Sequence, residues 1–238
     1  MEIIKDKNIL IVGATGGIGK ATAKLLKQSG GNLFLSSTNA AKLAALAEEL
    51  NIPQEQTFVL DISDADAVKN VANKIHAQIP TIDILINAAG IGIIKPIENL
   101  TELDFMQSIH INLAGAFYLV KHFIEPMKLA KKGLIINIPG VLGKTPMAGA
   151  AAYSASKYGL NGMMKSIREE LKRTDIRITN IFLGGTDSPF WDQIDLRVQR
   201  DKFIQAEEVA KSIWFLCQQP NSGVVSELVL QPFNHQAI

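Results

Sequence analysis

Four aliphatic residues in a row, Ile9-Leu10-Ile11-Val12, run without a polar interruption into Gly13-Ala14-Thr15-Gly16-Gly17-Ile18-Gly19. A strand with no polar alternation must be covered on both faces, as in a parallel sheet layered between helices. The glycines let the chain turn tightly, and residues 18–29 then carry a helical pattern closed by Gly30-Gly31. Few folds other than an open α/β sheet accommodate a buried strand, a glycine turn and a helix in that order. In this context a glycine-rich turn can hold phosphate, because the N–H groups and the positive dipole end of the helix face the anion. A ligand-free turn or a methyltransferase loop has a similar composition. No Gly-Lys-Ser/Thr follows, which excludes the P-loop of nucleotide hydrolases.

The alternation continues along the chain. Strands are expected at 32–36, 57–60, 82–86, 133–138, 176–183 and 227–230. Helices are expected at 40–50, at 64–78 with Ser63 or Asp64 as cap, at 102–129 after a Thr101 cap, at 150–173 and at 206–218. Pro126 can kink the helix at 102–129 near its end. A polar and aromatic connection fills 184–205. Strands separated by helices imply right-handed crossovers and a doubly wound parallel sheet of seven strands, a single α/β domain of the Rossmann type over 1–238. Ligands of such sheets sit at the carboxyl ends of the strands.

The bulk properties exclude other classes. With 24 basic and 23 acidic residues the net charge is +1, which argues against a nucleic-acid or membrane-surface partner. Cys217 is the only cysteine, so no intramolecular disulfide can form; a cytoplasmic setting and a small buried apolar role for Cys217 are the expectations. No secretion signal is read at the N-terminus. His76, His110, His122 and His235 show no ligand spacing, so no metal is expected.

Further motifs follow the strands. Asp61-Ile62 comes after the third and Asn87-Ala88-Ala89-Gly90 after the fourth; Asn112 interrupts an apolar helical stretch; Tyr153 and Lys157 lie four apart on one helix face; Leu183-Gly184-Gly185-Thr186-Asp187-Ser188-Pro189 follows the sixth strand. Together with the spacing of Gly13, Gly17 and Gly19, and in this order from Asn8 to Leu230, they resemble the short-chain dehydrogenase/reductase family. That resemblance implies a nicotinamide dinucleotide cofactor and hydride transfer between a carbonyl and an alcohol. It implies that the turn holds the pyrophosphate and that Asp61 and Ile62 border the adenine. Asn87–Gly90 would pack beside the cofactor, and Gly184, Thr186 and Ser188 would cup the nicotinamide amide. Tyr153 would be the acid/base, its pKa lowered by the Lys157 ammonium and a cationic nicotinamide ring. Lys157 would also hold the ribose hydroxyls, and Asn112 would join a proton relay linked to a backbone distortion. Asp61 as a helix-entry cap and Asn112 as a satisfied core amide are the plainer alternatives. Val12 and Leu183 depart from the family's threonine and proline.

One departure matters more. The family's catalytic serine belongs thirteen residues before the tyrosine, where this chain has Pro139-Gly140. Losing one donor to a transition-state oxyanion costs about 10²–10³ in rate. The enzyme then works on a substrate needing little oxyanion help, or with a water in the gap. Otherwise the chain is a catalytically impaired nucleotide-binding regulatory or structural protein of the same fold. Gly140→Ser is expected to raise carbonyl reduction.

Cofactor choice is read at Ser37 and Thr38, where neither an acid for a free 2′-hydroxyl nor an arginine for a 2′-phosphate is present. Gly16 also lacks a basic side chain. NADP is preferred over NAD because no carboxylate would repel the phosphate. Residues 140–147, Ile91, Ile93, Ile94, Phe190 and Trp191 suggest an apolar pocket for a small carbonyl or alcohol, although loop packing explains the two aromatics equally well. The resemblance implies a homodimer or homotetramer through the helices at 102–129 and 150–173, unless these pack only on their own sheet.

Overall fold

Successive residues of the first strand, β1 (Asn8–Val12), point to opposite sides of the sheet, and both sides are buried. Ile9 and Ile11 join one apolar layer with Leu33, Leu35, Ile84, Ile86, Leu134 and Ile136. Leu10 and Val12 join the opposite layer with Phe34, Leu85, Ile135 and Ile178. This is why the strands read as unbroken apolar runs. The structure is a computed structural model and describes residues 4–234, except Asp195, Arg197, Asn221 and the side chain of Gln193.

The chain continues through α1 (Gly17–Gln28), β2 (Asn32–Ser37), α2 (Ala40–Glu49), β3 (Thr57–Val59), α3 (Ala65–His76) and β4 (Ile84–Asn87). It then forms α4 (Glu102–Ile109), α5 (Gly115–Ala130), β5 (Gly133–Asn137), α6 (Ala151–Leu171) and β6 (Ile176–Leu183). The short strands β7 (Thr186–Asp187) and β8 (Ile204–Gln205) precede α7 (Ala206–Leu216) and β9 (Glu227–Leu230). Among the described residues, seven strands form one parallel sheet in the order β3-β2-β1-β4-β5-β6-β9. The order reverses between β1 and β4, and the segments leaving their carboxyl ends border the crevice where such sheets bind ligands. The doubly wound α/β expectation holds.

Two expectations need correction. The helix expected over 102–129 is continuous but not α throughout: a π turn, His110–Ala114, lies between α4 and α5. The turn holds Asn112, whose side chain bonds outside the helix, and such turns recur at functional sites. A capping box formed by Thr101 and Asp104 starts α4 as expected. The connection over 184–205 is not irregular throughout. β7 and β8 pair in parallel within it, Thr186 opposite Ile204, and short helical turns cover Pro189–Gln193 and Arg200–Lys202. Elsewhere boundaries move by a few residues, as at β4, which starts at Ile84 rather than 82. Asp64, not Ser63, caps α3, accepting from the N–H groups of Asp66 and Ala67 at 2.9 Å each.

Cys217 is buried, and burial pushes its thiol up to about 12, so it is a packing residue. No helix among the described residues is long and apolar enough to cross a membrane.

Candidate functional site

Close backbone approach explains the glycines of the β1–α1 turn. Gly13 adopts a left-handed φ of 79°, and a Cβ there would lie 2.7 Å from the nitrogen of Ala89. A Cβ on Gly19 would lie 2.1 Å from the Gly13 carbonyl oxygen. A Cβ on Gly17 would lie 2.6 Å from the Ser188 Cβ. Side chains would therefore separate the turn from the segment after β4 and from the segment after β6. α1 begins here, with Gly16 as its N-cap and no acidic residue in its first turn. The helix start thus keeps its positive end clear for an anion.

A cavity of 690 Å³ extends from this turn. Its walls include Gly16, Gly17, Ile18 and Gly19, then Ala88, Ala89 and Gly90, and beyond them Tyr153 and Lys157. Gly140, Gly184, Thr186 and Ser188 also line it. The far end is mainly apolar, with Ile94, Leu142, Met147, Phe190 and Trp191. A glycine turn at a helix start, sharing one cavity with a tyrosine and a lysine, has the chemistry to hold a nicotinamide dinucleotide.

Not every expected residue reaches this cavity. Thr15 and Ser37 are not among its lining residues; they share a hydrogen bond of 2.5 Å, while the Ser37 Oγ also accepts from the Asn39 N–H at 3.3 Å. Thr38 is exposed. Asp61 is exposed and its Oδ1 accepts from the N–H and the hydroxyl of Ser63 at 2.9 and 2.7 Å; it does not cap the helix that follows, a role Asp64 takes. Ile62 is buried where a Cβ on Gly115 would meet its side chain at 2.7 Å. Asn87 is buried, and its Oδ1 accepts from the Ala89 N–H at 3.2 Å, shaping the turn that carries Ala88–Gly90.

Asn112 is buried and clamps the segment after β4. Its Oδ1 accepts from the Ile91 N–H at 2.9 Å, and its Nδ2 donates to the Ile91 carbonyl at 2.9 Å and to the Ser156 hydroxyl at 3.0 Å. Ser156 in turn donates to the Tyr153 carbonyl at 2.8 Å. The satisfied-amide alternative is therefore correct for both donors, and the expected backbone distortion is the π turn itself. A relay could use only the remaining lone pair of Oδ1. That oxygen and the Lys157 Nζ lie 3.0 and 3.3 Å from the point a Cβ on Gly90 would occupy. The two polar atoms thus converge on a bare glycine face.

Lys157 is 5% exposed and donates from Nζ to the Ile138 carbonyl at 2.9 Å. The same nitrogen lies 5.6 Å from the centre of the Tyr153 ring. Burial pulls the Lys157 ammonium down to about 8 and pushes the Tyr153 phenol well above its ordinary value. The lowering expected for Tyr153 needs a cationic nicotinamide ring beside it as well as the ammonium, and so concerns the dinucleotide-bound chain. Gly140 has φ 69° and ψ 173°, a region reserved almost wholly for glycine. There is open space beside it, since an added Cβ would meet only the Leu183 carbonyl oxygen, at 3.5 Å.

Sequence reasoning missed the groups that hold the segment after β6. Arg200 donates from Nε to Asp187 at 2.6 Å, from one terminal nitrogen to Asp192 at 2.6 Å and from the other to the Ser188 carbonyl at 3.1 Å. The Trp191 indole N–H donates to the Thr186 carbonyl at 2.8 Å, and its ring packs on Phe203 at 5.1 Å. Val198, Gln199, Lys202, Phe203 and Pro232 also line the cavity. No motif announces them, because tertiary pairing brings them in: β7 with β8 for the segment before α7, and β6 with β9 for Pro232. Among the described residues no group of three or more His, Cys, Asp or Glu side chains could hold a metal, and His235 lies outside the described residues.

Comparison with known proteins agrees with this geometry. The family model described as short chain dehydrogenase matches residues 7–198. The chain is 30% identical over 236 residues to the 3-oxoacyl-(acyl-carrier-protein) reductase of Thermotoga maritima, covering 95% of this chain and 96% of that protein. A metagenomic short-chain oxidoreductase crystallised with NADP superimposes with a TM-score of 0.83 at 28% identity, covering 97% of this chain and 99% of that one. An alcohol dehydrogenase from Thermococcus sibiricus complexed with 5-hydroxy-NADP gives 0.88 at 25% identity, covering 98% and 99%. The chain belongs to the short-chain dehydrogenase family and is a NAD(P)-dependent oxidoreductase.

The buried lysine gives a signed pH test. Its pKa falls from 10.5 unfolded to about 8 folded, so between these values the unfolded chain binds more protons and stability rises with pH. At pH 7 the penalty amounts to about 3 kcal/mol, at roughly 1.36 kcal/mol per unit. The raised thiol of Cys217 and phenol of Tyr153 act oppositely at higher pH, so the difference between proteins isolates the lysine. Lys157→Met is expected to be more stable than the parent at pH 7, with the gap narrowing from pH 8 to 10 in urea titrations. A gap independent of pH would refute the assignment.

Proposed function

We propose that the chain interconverts a small apolar ketone or aldehyde with its alcohol, preferring NADP(H). The observation that carries this reading is the single cavity joining Gly16–Gly19 to Tyr153 and Lys157. Gly13, Thr15, Gly16, Gly17, Ile18 and Gly19 would hold the pyrophosphate end. Ser37 and Thr38 would face the adenosine ribose, with Asp61 and Ile62 at the adenine. Asn87–Gly90 would flank the far ribose, and Gly184, Thr186 and Ser188 the carboxamide. When bound, the nicotinamide supplies or takes up the hydride.

Tyr153 donates its phenolic proton to the carbonyl oxygen during reduction and recovers it in oxidation. Its high pKa keeps it protonated at neutral pH, the state reduction requires. A positive charge is then needed to stabilise the phenolate left behind. Lys157 provides one when protonated, and it reaches the ribose hydroxyls from the same position. Asn112 holds Ile91 and Ser156, and the convergence of its Oδ1 with the Lys157 Nζ at Gly90 supports a relay of protons through that point. The preference for NADP rests on the absence of a carboxylate at 37 and 38 and on the NADP-bound structural relatives. Exposed Phe105, Met106 and Phe117 on α4 and α5 support assembly as a homodimer or homotetramer. The lone cysteine, which leaves no intramolecular disulfide, supports a cytoplasmic setting.

Gly140 favours a second reading, in which the chain binds the dinucleotide as a regulatory or structural protein with impaired chemistry. No side chain at 140 can donate to the substrate oxygen. Tight binding without turnover across a broad carbonyl panel would select this reading. Under the first reading, Tyr153→Phe lowers kcat at least about 100-fold and changes dinucleotide affinity little. Fluorescence titration is expected to show tighter binding of NADPH than NADH, and Ser37→Asp to reverse the order. Gly140→Ser is expected to raise kcat while lowering stability by about 1–3 kcal/mol, because serine must adopt a glycine backbone. A serine variant no faster than the parent, with unchanged cofactor binding, refutes Gly140 as the limit on turnover.

A further inference from the structure

We propose that Phe190 is a fixed size filter over Tyr153, admitting carbonyls with one slender arm and rejecting those branched on both sides. The proposal rests on the reading of the cavity as a carbonyl site and adds its substrate class. The Phe190 ring lies 6.0 Å from the Tyr153 ring, tilted by 39°. A group stacked between two rings needs about 7–8 Å, twice the usual carbon contact distance. Substrate atoms cannot lie between the two rings, so on this side of Tyr153 they lie beside the edge of Phe190, where a methyl or an unbranched chain is more easily placed than a branched one.

The ring cannot easily retreat. On one side it rests on Gly92, where an added Cβ would lie 2.3 Å from its Cζ, so it already touches backbone. On another, Trp191 abuts it edge-on at 5.4 Å and 83°. Trp191 is itself pinned by its bond to the Thr186 carbonyl and by Phe203. Arg200 ties the same segment through Asp187, Asp192 and the Ser188 carbonyl. The ring is thus held from behind by stacking and hydrogen bonds, and from its flank by a glycine that leaves it room. Ile94, Val141, Leu142 and Met147 line the rest of the cavity's apolar end, so a slender apolar arm finds contacts there.

The test uses the full chain saturated with oxidised NADP. Dissociation constants of 2-octanone and of 2,4-dimethyl-3-pentanone are measured by ligand-observed NMR. The parent is expected to favour 2-octanone by about ten-fold or more, the scale of discrimination per misplaced methylene in an apolar pocket. Phe190→Ala should bring the two constants within about three-fold, and Phe190→Leu should fall between. The leucine variant keeps an apolar side chain and carries the test if the alanine variant does not fold. An unchanged ratio in the variants, or a parent that binds both ketones equally, overturns the filter. Hydride transfer to 2-octanone is followed separately with NADPH and NADH. A collapsed ratio without turnover by any variant keeps the filter and refutes the reductase reading. Turnover with an unchanged ratio does the reverse.

Discussion

Burial of both faces of the parallel sheet is the constraint from which the rest follows. Alternate residues of β1, β2, β4 and β5 feed two separate apolar layers, so no face of these strands remains for a ligand. Function is pushed to the carboxyl ends, where the chain leaves the sheet. There the crossover order brings the turn after β1 against the turn after β4. Gly13 fits against Ala88 and Ala89 only because it has no side chain and accepts a positive φ. The shape of the glycine turn is thus a product of how closely two strand ends approach.

The end of the cavity at Tyr153 and Lys157 is assembled at an energetic cost. A lysine is held almost out of water with a backbone carbonyl as its partner, and a phenol stands beside it. The chain disfavours the ionised forms of both side chains. Charge is therefore cheapest there when a second charge arrives to compensate it, which couples proton movement to what the cavity holds. Asn112 does not add to this charge. Its amide is spent on Ile91 and Ser156, and the π turn places it where a regular helix would not.

The segment after β6 closes the cavity by a different physical means. Ion pairs of Arg200, an indole hydrogen bond and a line of stacked rings hold it, rather than the sheet core. Such contacts are partly exposed and individually modest. Their shared geometry is what fixes Phe190 above Tyr153.

The sequence by itself determined the doubly wound sheet, because unbroken apolar strands and spaced glycines are local patterns with few solutions. It also located the turn, Tyr153, Lys157, Asn112 and the absence of a side chain at 140, since each is a residue identity at a fixed spacing. Only the tertiary structure decided that Asn112 sits in a π turn, that Asp61 spends one oxygen on Ser63, and that burial pushes the Tyr153 phenol up and the Lys157 ammonium down. It alone brought Arg200 and Phe203 to the cavity and set Phe190 on Gly92. These depend on distances between segments far apart in the chain and on how much water each group loses. Neither quantity is encoded in local periodicity.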